Sequence, residues 1–419
     1  MTSFSDQLPR GGTGNPRLAL RVAAKAVPFL RQRHPWLFAD SIVKSSRPGA
    51  AGDVAVLFDE SGREVLGAGL FDPASPVRVK VMAHGAGAKP VGPELFAELA
   101  GAAATLRFGK CPPETDAYRL VNGDSDLFPG LVADRYADTL AVKVYAAALL
   151  PHLGDLIDAI AAANPGLRRL ALRLSRELQK TAGLEDGTLY GDPGWDGTVR
   201  FRENGLLFEA DVKSGQKTGF FLDQRDNRAR VEKLSAGTSV LNLFSYSGGF
   251  SLYAARGGAK EVCSVDFNKH AIAACDAHFK LNSDIGTVAR CRHRGIAGDA
   301  FEVMEQLYRE KARYGVVVVD PPSFAKSAAE TPTALRAYAR LARGAVKLVA
   351  PGGILVFASC SSRVRSEELF DHVKMAAAES GFRLDEIDRT YHAFDHPARF
   401  KESEYLKCLY VRVHPARGR

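Results

Sequence analysis

"SVLNLFSYSGGFSLYAARGGAKEVCSVD", residues 239–266, decides the fold. "SVLNLF" is an apolar run of strand length, "GFSLYAARG" has helical spacing, and "EVCSVD" is a second buried strand. Between the first strand and the helix, "SYSGG" places Gly248 and Gly249 where a tight turn and close backbone approach are needed. Working outward, the alternation continues. "KHAIAACDAHFKLN" is a helix with Ile272, Cys275 and Phe279 on one face; strand "YGVVVVD", helix "TALRAYARLARGAVKLV" and strand "ILVFAS" follow. Continuous apolar strands between amphipathic helices predict an α/β, doubly wound parallel sheet covered on both faces. This domain is expected over residues 206–419, with "RLDEIDRTY" and "EYLKCLYVRV" as an added pair at the sheet edge.

The preceding half reads differently. Residues 1–16 are polar and rich in Gly and Pro, which predicts a flexible tail. Residues 17–90 carry short β-like pieces ("DVAVLF", "EVLGAGLF", "VRVKVM") between Gly, Pro and Asp turns, predicting a small β-barrel or sandwich. A helical connector spans 91–113, and a small α+β middle domain spans 114–205. A hairpin-like segment with Asn204-Gly205 at its turn leads into the last domain.

At 419 residues, with about half of them hydrophobic, the chain is long for one core and is neither disordered nor fibrous. Its formal charge of +8 favours an anionic partner. The first 50 residues hold eight Lys or Arg against two Asp or Glu, and "RQRHPWLFADSI" mixes Arg31, Arg33 and His34 with Trp36 and Phe38, as phosphate pairing and base stacking require. The two aromatics fit a core equally well. Six scattered cysteines, without a C-x-x-C pair or zinc-finger spacing, fit a reduced, cytoplasmic protein with no metal site. No secretory signal and no membrane span is legible.

Ligands of doubly wound sheets lie beyond the carboxyl ends of the strands. Asp266 ends the second strand 18 residues after Gly248, where it can accept bonds from ribose hydroxyls; the helix N-cap beside it suits Asn268 better. Asp299 stands where a third strand should end, suited either to an adenine amine or to an N-cap. In "VVVVDPPSFAKS", four valines bring Asp320 to the strand edge and Pro321-Pro322 stiffen the turn, so that Asp320 and Phe324 face the cleft. Cys360 follows the strand adjacent in the usual order, inside the polar turn "ASCSS", where a thiolate can reach a substrate. Cys263 and Cys275, in strand and helix interiors, read as buried hydrophobes.

These motifs together resemble the bacterial ribosomal RNA large-subunit methyltransferase family that makes 5-methylcytosine, a class I S-adenosylmethionine-dependent family. "RHPWLFADSI" and "ASPVRVKV" resemble its N-terminal PUA RNA-binding domain, "YRLVNGDSDLFPGLVADRYAD" its middle domain, and "GQKTGFFLDQRDNR", "DPPSF" and "FASCSS" its catalytic domain. The resemblance implies that Ser245, Tyr246, Ser247, Gly248, Gly249, Asp266 and Asp299 hold S-adenosylmethionine, with Gln224 and Arg225 packing nearby and Asp320 at the edge of the same site. It implies that Cys360 is the nucleophile, that Asp320 assists it, that Pro321, Pro322 and Phe324 line the base pocket, and that Arg33 and Trp36 meet RNA. The implied partner is ribosomal RNA, naked or in a partly assembled large subunit; a homodimer is left open. Two features depart from the pattern. Ser323 stands where another branch of RNA cytosine methyltransferases has a second cysteine, and "RLSRELQKTAGL" is an imperfect copy of an Arg-rich segment of the middle domain.

Two other readings compete: a purine-nitrogen methyltransferase on the same scaffold, which needs no cysteine, and a non-catalytic RNA-binding ribosome-assembly factor. A nicotinamide oxidoreductase has no use for "DPPSF" or "SCS".

Overall fold

The computed structural model describes residues 4–11, 17–180, 183–325 and 327–416. The chain forms two compact units: Met1–Gly205 with Ala210–Leu222 and Phe394–Phe400, and Leu206–Glu209 with Asp223–Ala393 and Lys401–Arg419.

The first unit holds a six-stranded and a five-stranded sheet. In the six-stranded sheet the order is Trp36–Phe38, Val77–His84, Val65–Phe71, Val54–Phe58, Leu18–Val22, Ile42–Ser45. All neighbours are antiparallel except Leu18–Val22 beside Val54–Phe58. Leu18, Leu20 and Val22 alternate inward against Leu57, Val79 and Val81, the period-two pattern of a half-buried strand. The second sheet has five strands between Ala117 and Tyr190. Helix Pro93–Arg107, expected as a connector, is more than a spacer. Its Leu95, Phe96 and Leu99 share one core with Ile157 and Ile160 of helix Leu153–Ala163 and with Leu70 and Met82 of the first sheet.

The tail reading fails for residues 4–11. Leu8 is buried in that same core, the Pro9 carbonyl accepts from Gly154 N at 2.8 Å, and Ser5 is bonded to Asp158; an apolar anchor and satisfied polar groups hold the segment down. The rest of the tail, residues 1–3 and 12–16, lies outside the described residues, as do 181–182 of the Arg-rich segment. Nor does all of 206–419 belong to one unit. Arg119 N donates to Asp395 Oδ2 at 3.0 Å and buried Arg107 donates to the Asp395 carbonyl at 2.8 Å, which places 394–400 in the first unit.

The second unit is one seven-stranded sheet: β1 (Ser239–Leu243), β2 (Glu261–Asp266), β3 (Arg292–Ala297), β4 (Tyr314–Val319), β5 (Val349–Ser359), β6 (Phe382–Thr390) and β7 (Lys407–Pro415). The order is β3-β2-β1-β4-β5-β7-β6, parallel from β3 to β5. β7 and β6 close the sheet as the antiparallel pair expected at its edge. Helices Gly249–Arg256, Lys269–Leu281, Ala300–Arg309, Thr331–Val346 and Ser366–Glu379 alternate with the strands. Valines 316–319 are all buried, as a strand covered on both faces requires. Because β1 lies between β2 and β4, the connections reverse direction there, and the ends of β1, β2, β4 and β5 share one edge.

Candidate active site

At the end of β1 the chain turns under strain. Phe244, Tyr246 and Gly248 have φ of 59°, 46° and 78°. Two left-handed aromatics in three residues are costly, roughly 1–3 kcal/mol each, and such strain collects at functional turns. Gly248 is required twice over, by its positive φ and because a Cβ there would stand 2.0 Å from Cys275 Sγ. Asp266 holds the turn from β2: its Oδ2 accepts from Tyr246 N at 2.8 Å and its Oδ1 from Asn268 N at 2.9 Å. Each oxygen keeps a second lone pair. Asn268 caps the helix that follows, as expected. His278 braces the turn from below, its Nδ1–H donating to the Ser247 carbonyl at 2.8 Å while Nε2 accepts from Glu209 N at 3.0 Å; burial pushes its pKa down, so the ring is neutral.

Asp299 is exposed and caps helix Ala300–Arg309, with Oδ1 accepting from Phe301 N at 2.9 Å and Glu302 N at 3.2 Å. Of its two readings, the structure realises the cap.

At the end of β4, Asp320 is oriented by a relay of amides. Gln224 Nε2 donates to Asp320 Oδ2 at 2.9 Å, Asn227 Nδ2 to Gln224 Oε1 at 2.6 Å, and the Tyr410 hydroxyl to Asn227 Oδ1 at 2.9 Å. Gln224 and Arg225 are both buried. Pro321 is buried and Pro322 exposed, while Phe324 is half-buried and packs against Tyr338 with ring centroids 5.0 Å apart.

Cys360 follows β5 and is partly exposed, unlike Cys263, Cys275 and Cys408. Its neighbours are fixed. The Tyr338 hydroxyl and Ser359 Oγ are 2.9 Å apart, Ser361 N donates to Ser359 Oγ at 3.2 Å, and buried Lys407 donates through Nζ to the carbonyls of Ser361 and Val364. Burial pushes the Tyr338 phenol up to about 12.

Sequence reasoning missed Asn227, Lys407 and Phe267. Asn227 lies in the quoted "FLDQRDNR" at one helical turn from Gln224, a signal that was present. Lys407, inside an apolar strand, gave only the signal of a charge where none should be buried. Phe267, beside Asp266, is 83% exposed.

In the first unit, Trp36 sits half-buried in an aromatic cluster, with ring centroids 5.5 Å from His34 and 5.3 Å from Phe400, and its indole N–H donates to Asp124. Burial raises the Asp124 carboxyl. Phe38 is 44% exposed at the margin of that cluster, and Arg33, with φ of 64°, lines a shallow cavity with Arg31, Glu64 and His84.

Comparison with known proteins agrees with this geometry. The profile of an S-adenosylmethionine-dependent methyltransferase family matches residues 148–396, more than half the chain, so the class is that of a methyltransferase whose cofactor is S-adenosylmethionine. A PUA-like domain profile matches residues 20–84. The "Ribosomal RNA large subunit methyltransferase" of Deinococcus radiodurans is 45% identical over 407 residues, covering 95% of this chain and 98% of that protein. "Ribosomal RNA large subunit methyltransferase I" of Tolumonas auensis is 34% identical over 392 residues, covering 92% and 96%. The chain belongs to the ribosomal RNA large-subunit methyltransferase family. A solved chain described as a methyltransferase complexed with SAH shares the fold, with a TM-score of 0.78 and 22% identity over 94% of this chain and 99% of that one.

The residues of the β1–β2 edge fit the cofactor. Ser247 Oγ is buried without a hydrogen-bond partner among the described residues, Gly248 leaves the backbone bare, and Asp266 has acceptor capacity to spare. Phe267 places an uncovered aromatic face beside that acid, where a flat heterocycle would relieve its exposure.

Proposed function

We propose that this chain methylates carbon 5 of a cytosine in large-subunit ribosomal RNA through a covalent Cys360 adduct. The observation that supports this most is that Asp320 and Cys360 follow directly on β4 and β5, adjacent parallel strands in register from Val316↔Ile354 to Val319↔Phe357. A nucleophile and an oriented acid thus leave the sheet at one edge, next to the turn that suits the cofactor.

S-adenosylmethionine supplies a methyl group as a sulfonium electrophile, held in this reading by Ser245, Tyr246, Ser247, Gly248, Gly249 and Asp266. Carbon 5 of cytosine is too electron-poor to take it unaided. The Cys360 thiolate adds to carbon 6, forming the S–C bond while the ring's π electrons shift toward nitrogen 3 and carbon 5 becomes enamine-like. Asp320, protonated on one oxygen, donates to nitrogen 3 and accepts from the amino group with the other, so its proton neutralises the charge that collects at nitrogen 3 and returns to the carboxyl after methyl transfer. Once carbon 5 carries the methyl, loss of its proton to a base re-forms the double bond and expels the thiolate. The relay from Tyr410 through Asn227 and Gln224 holds Asp320 in place before any substrate arrives. Pro321, Pro322 and Phe324 stiffen the loop beside the base. Arg33 and Trp36 serve RNA docking in the first unit, on a structured RNA whose target base is unstacked into the pocket.

The test is incubation of the protein with tritiated S-adenosylmethionine and ribosomal RNA from a strain lacking its gene, followed by nucleoside separation. Label in 5-methylcytosine, abolished by Cys360→Ala, is expected. Label in a methylated purine would demote Cys360 to a structural residue, and absence of label would favour a non-catalytic assembly factor.

A further inference from the structure

A lysine buried within an apolar strand next to the reactive cysteine calls for an explanation. Lys407 opens β7, antiparallel to β5 in the register Ser359↔Lys407, one residue before Cys360. Only 3% of it is exposed. Lysine is almost never found so deep unless a partner requires it. Its Nζ donates to the carbonyls of Ser361 and Val364, the latter at 2.5 Å, so the ammonium spans the turn that begins at Cys360.

We propose that Lys407 is a positioning residue for the Cys360 nucleophile, tying down its turn through two backbone carbonyls and supplying the buried positive charge that favours the thiolate. The inference rests on the reading of Cys360 given above. A purely structural clamp needs two donors and no charge, and the surroundings argue for the charge. Burial pushes the Lys407 ammonium down to about 8, while the negative charges of Cys360, Glu404 and Glu367 draw it upward. The interaction is mutual: whatever the thiolate does for the ammonium, the ammonium does for the thiolate. Asp320 and the Tyr338 phenol also face this region, and neither supplies a cation. Lys407 is therefore the buried cation that interacts with the cysteine from the strand next to its own.

The experiment follows alkylation of Cys360 by iodoacetamide in the full-length protein, read by peptide mass spectrometry from pH 6 to 10, for wild type, Lys407→Gln and Lys407→Arg. Lys407→Gln keeps two N–H donors and removes the charge; its alkylation midpoint is expected to rise by about one pH unit, with roughly tenfold slower labelling on the acid side. Lys407→Arg keeps charge and donors and should stay at or below the wild-type midpoint, which maintains the test should the glutamine variant not fold. An unmoved midpoint in Lys407→Gln, or a rise of the midpoint in Lys407→Arg, would overturn the proposal. The nucleophile reading fails separately: Cys360→Ala would then still form 5-methylcytosine, whatever the midpoints show.

Discussion

Gln224 Nε2 donates a 2.9 Å hydrogen bond to Asp320 Oδ2, and Asn227 Nδ2 donates to Gln224 Oε1 behind it. Gln224 was expected beside the cofactor. Its amide is engaged at both ends of a hydrogen-bonded relay that ends on the Asp320 carboxyl. Gln224→Leu would remove one hydrogen bond from Asp320 and one from Asn227, at about 0.5–1.5 kcal/mol each. The expected result is a fall in kcat of roughly 10–100-fold with the KM for S-adenosylmethionine nearly unchanged, measured by steady-state methyl transfer to ribosomal RNA. A rise in KM alone would return Gln224 to the cofactor.

The β1 turn makes the next prediction. A Cβ at position 248 would collide with Cys275 Sγ at 2.0 Å and with Cys275 Cβ at 2.9 Å. Gly248→Ala should therefore displace the turn and weaken S-adenosylmethionine binding by calorimetry at least tenfold. Gly258→Ala is the control, since it shares the positive φ but would meet nothing closer than Ala236 Cα at 3.8 Å. Equal losses in both would mean that backbone conformation alone, not the close approach, makes glycine necessary at 248.

The strands that carry Asp320 and Cys360 can be read from the amino-acid sequence. Apolar runs such as "VVVVD" and "ILVFAS" announce strands by composition, and the sheet's topology then brings Asp320 and Cys360 to one edge, so the site's skeleton was legible. What was not legible depends on three-dimensional pairing. Lys407 meets the Cys360 turn only because β7 folds back on β5, and segment 394–400 leaves its neighbours in sequence to satisfy Arg107 and Arg119. Leu8 looked like part of a tail because its partners lie in a core built by residues far along the chain.

Thiol reactivity should sort the cysteines by these environments. Burial pushes the thiols of Cys275 and Cys408 up to about 12, and Cys291 to about 11. Native alkylation at pH 7.5 is expected to label partly exposed Cys360 well before Cys275 or Cys408. Saturating S-adenosylmethionine should leave that order intact. Labelling of Cys275 at the rate of Cys360 would show that the β1 turn opens in solution, because Gly248 packs directly over it.

His278 couples the β1 turn to acidity. Its neutral ring donates to the Ser247 carbonyl and accepts from Glu209 N, an arrangement that a second ring proton destroys. Burial holds its folded pKa below the ordinary 6.5, so the unfolded chain binds the proton more readily. Stability from this residue is complete above 6.5 and declines as the pH falls from there toward the folded pKa. Wild type should lose Tm between pH 6.5 and 5.5 together with affinity for S-adenosylmethionine. His278→Asn retains a donor for the Ser247 carbonyl and does not titrate. It should be less stable than wild type at pH 7.5 yet flatter across the acid range, as followed by thermal melts and calorimetry at pH 7.5, 6.5 and 5.5. Parallel curves for the two proteins would remove His278 as the source of the acid sensitivity and leave its hydrogen bonds as structural support alone.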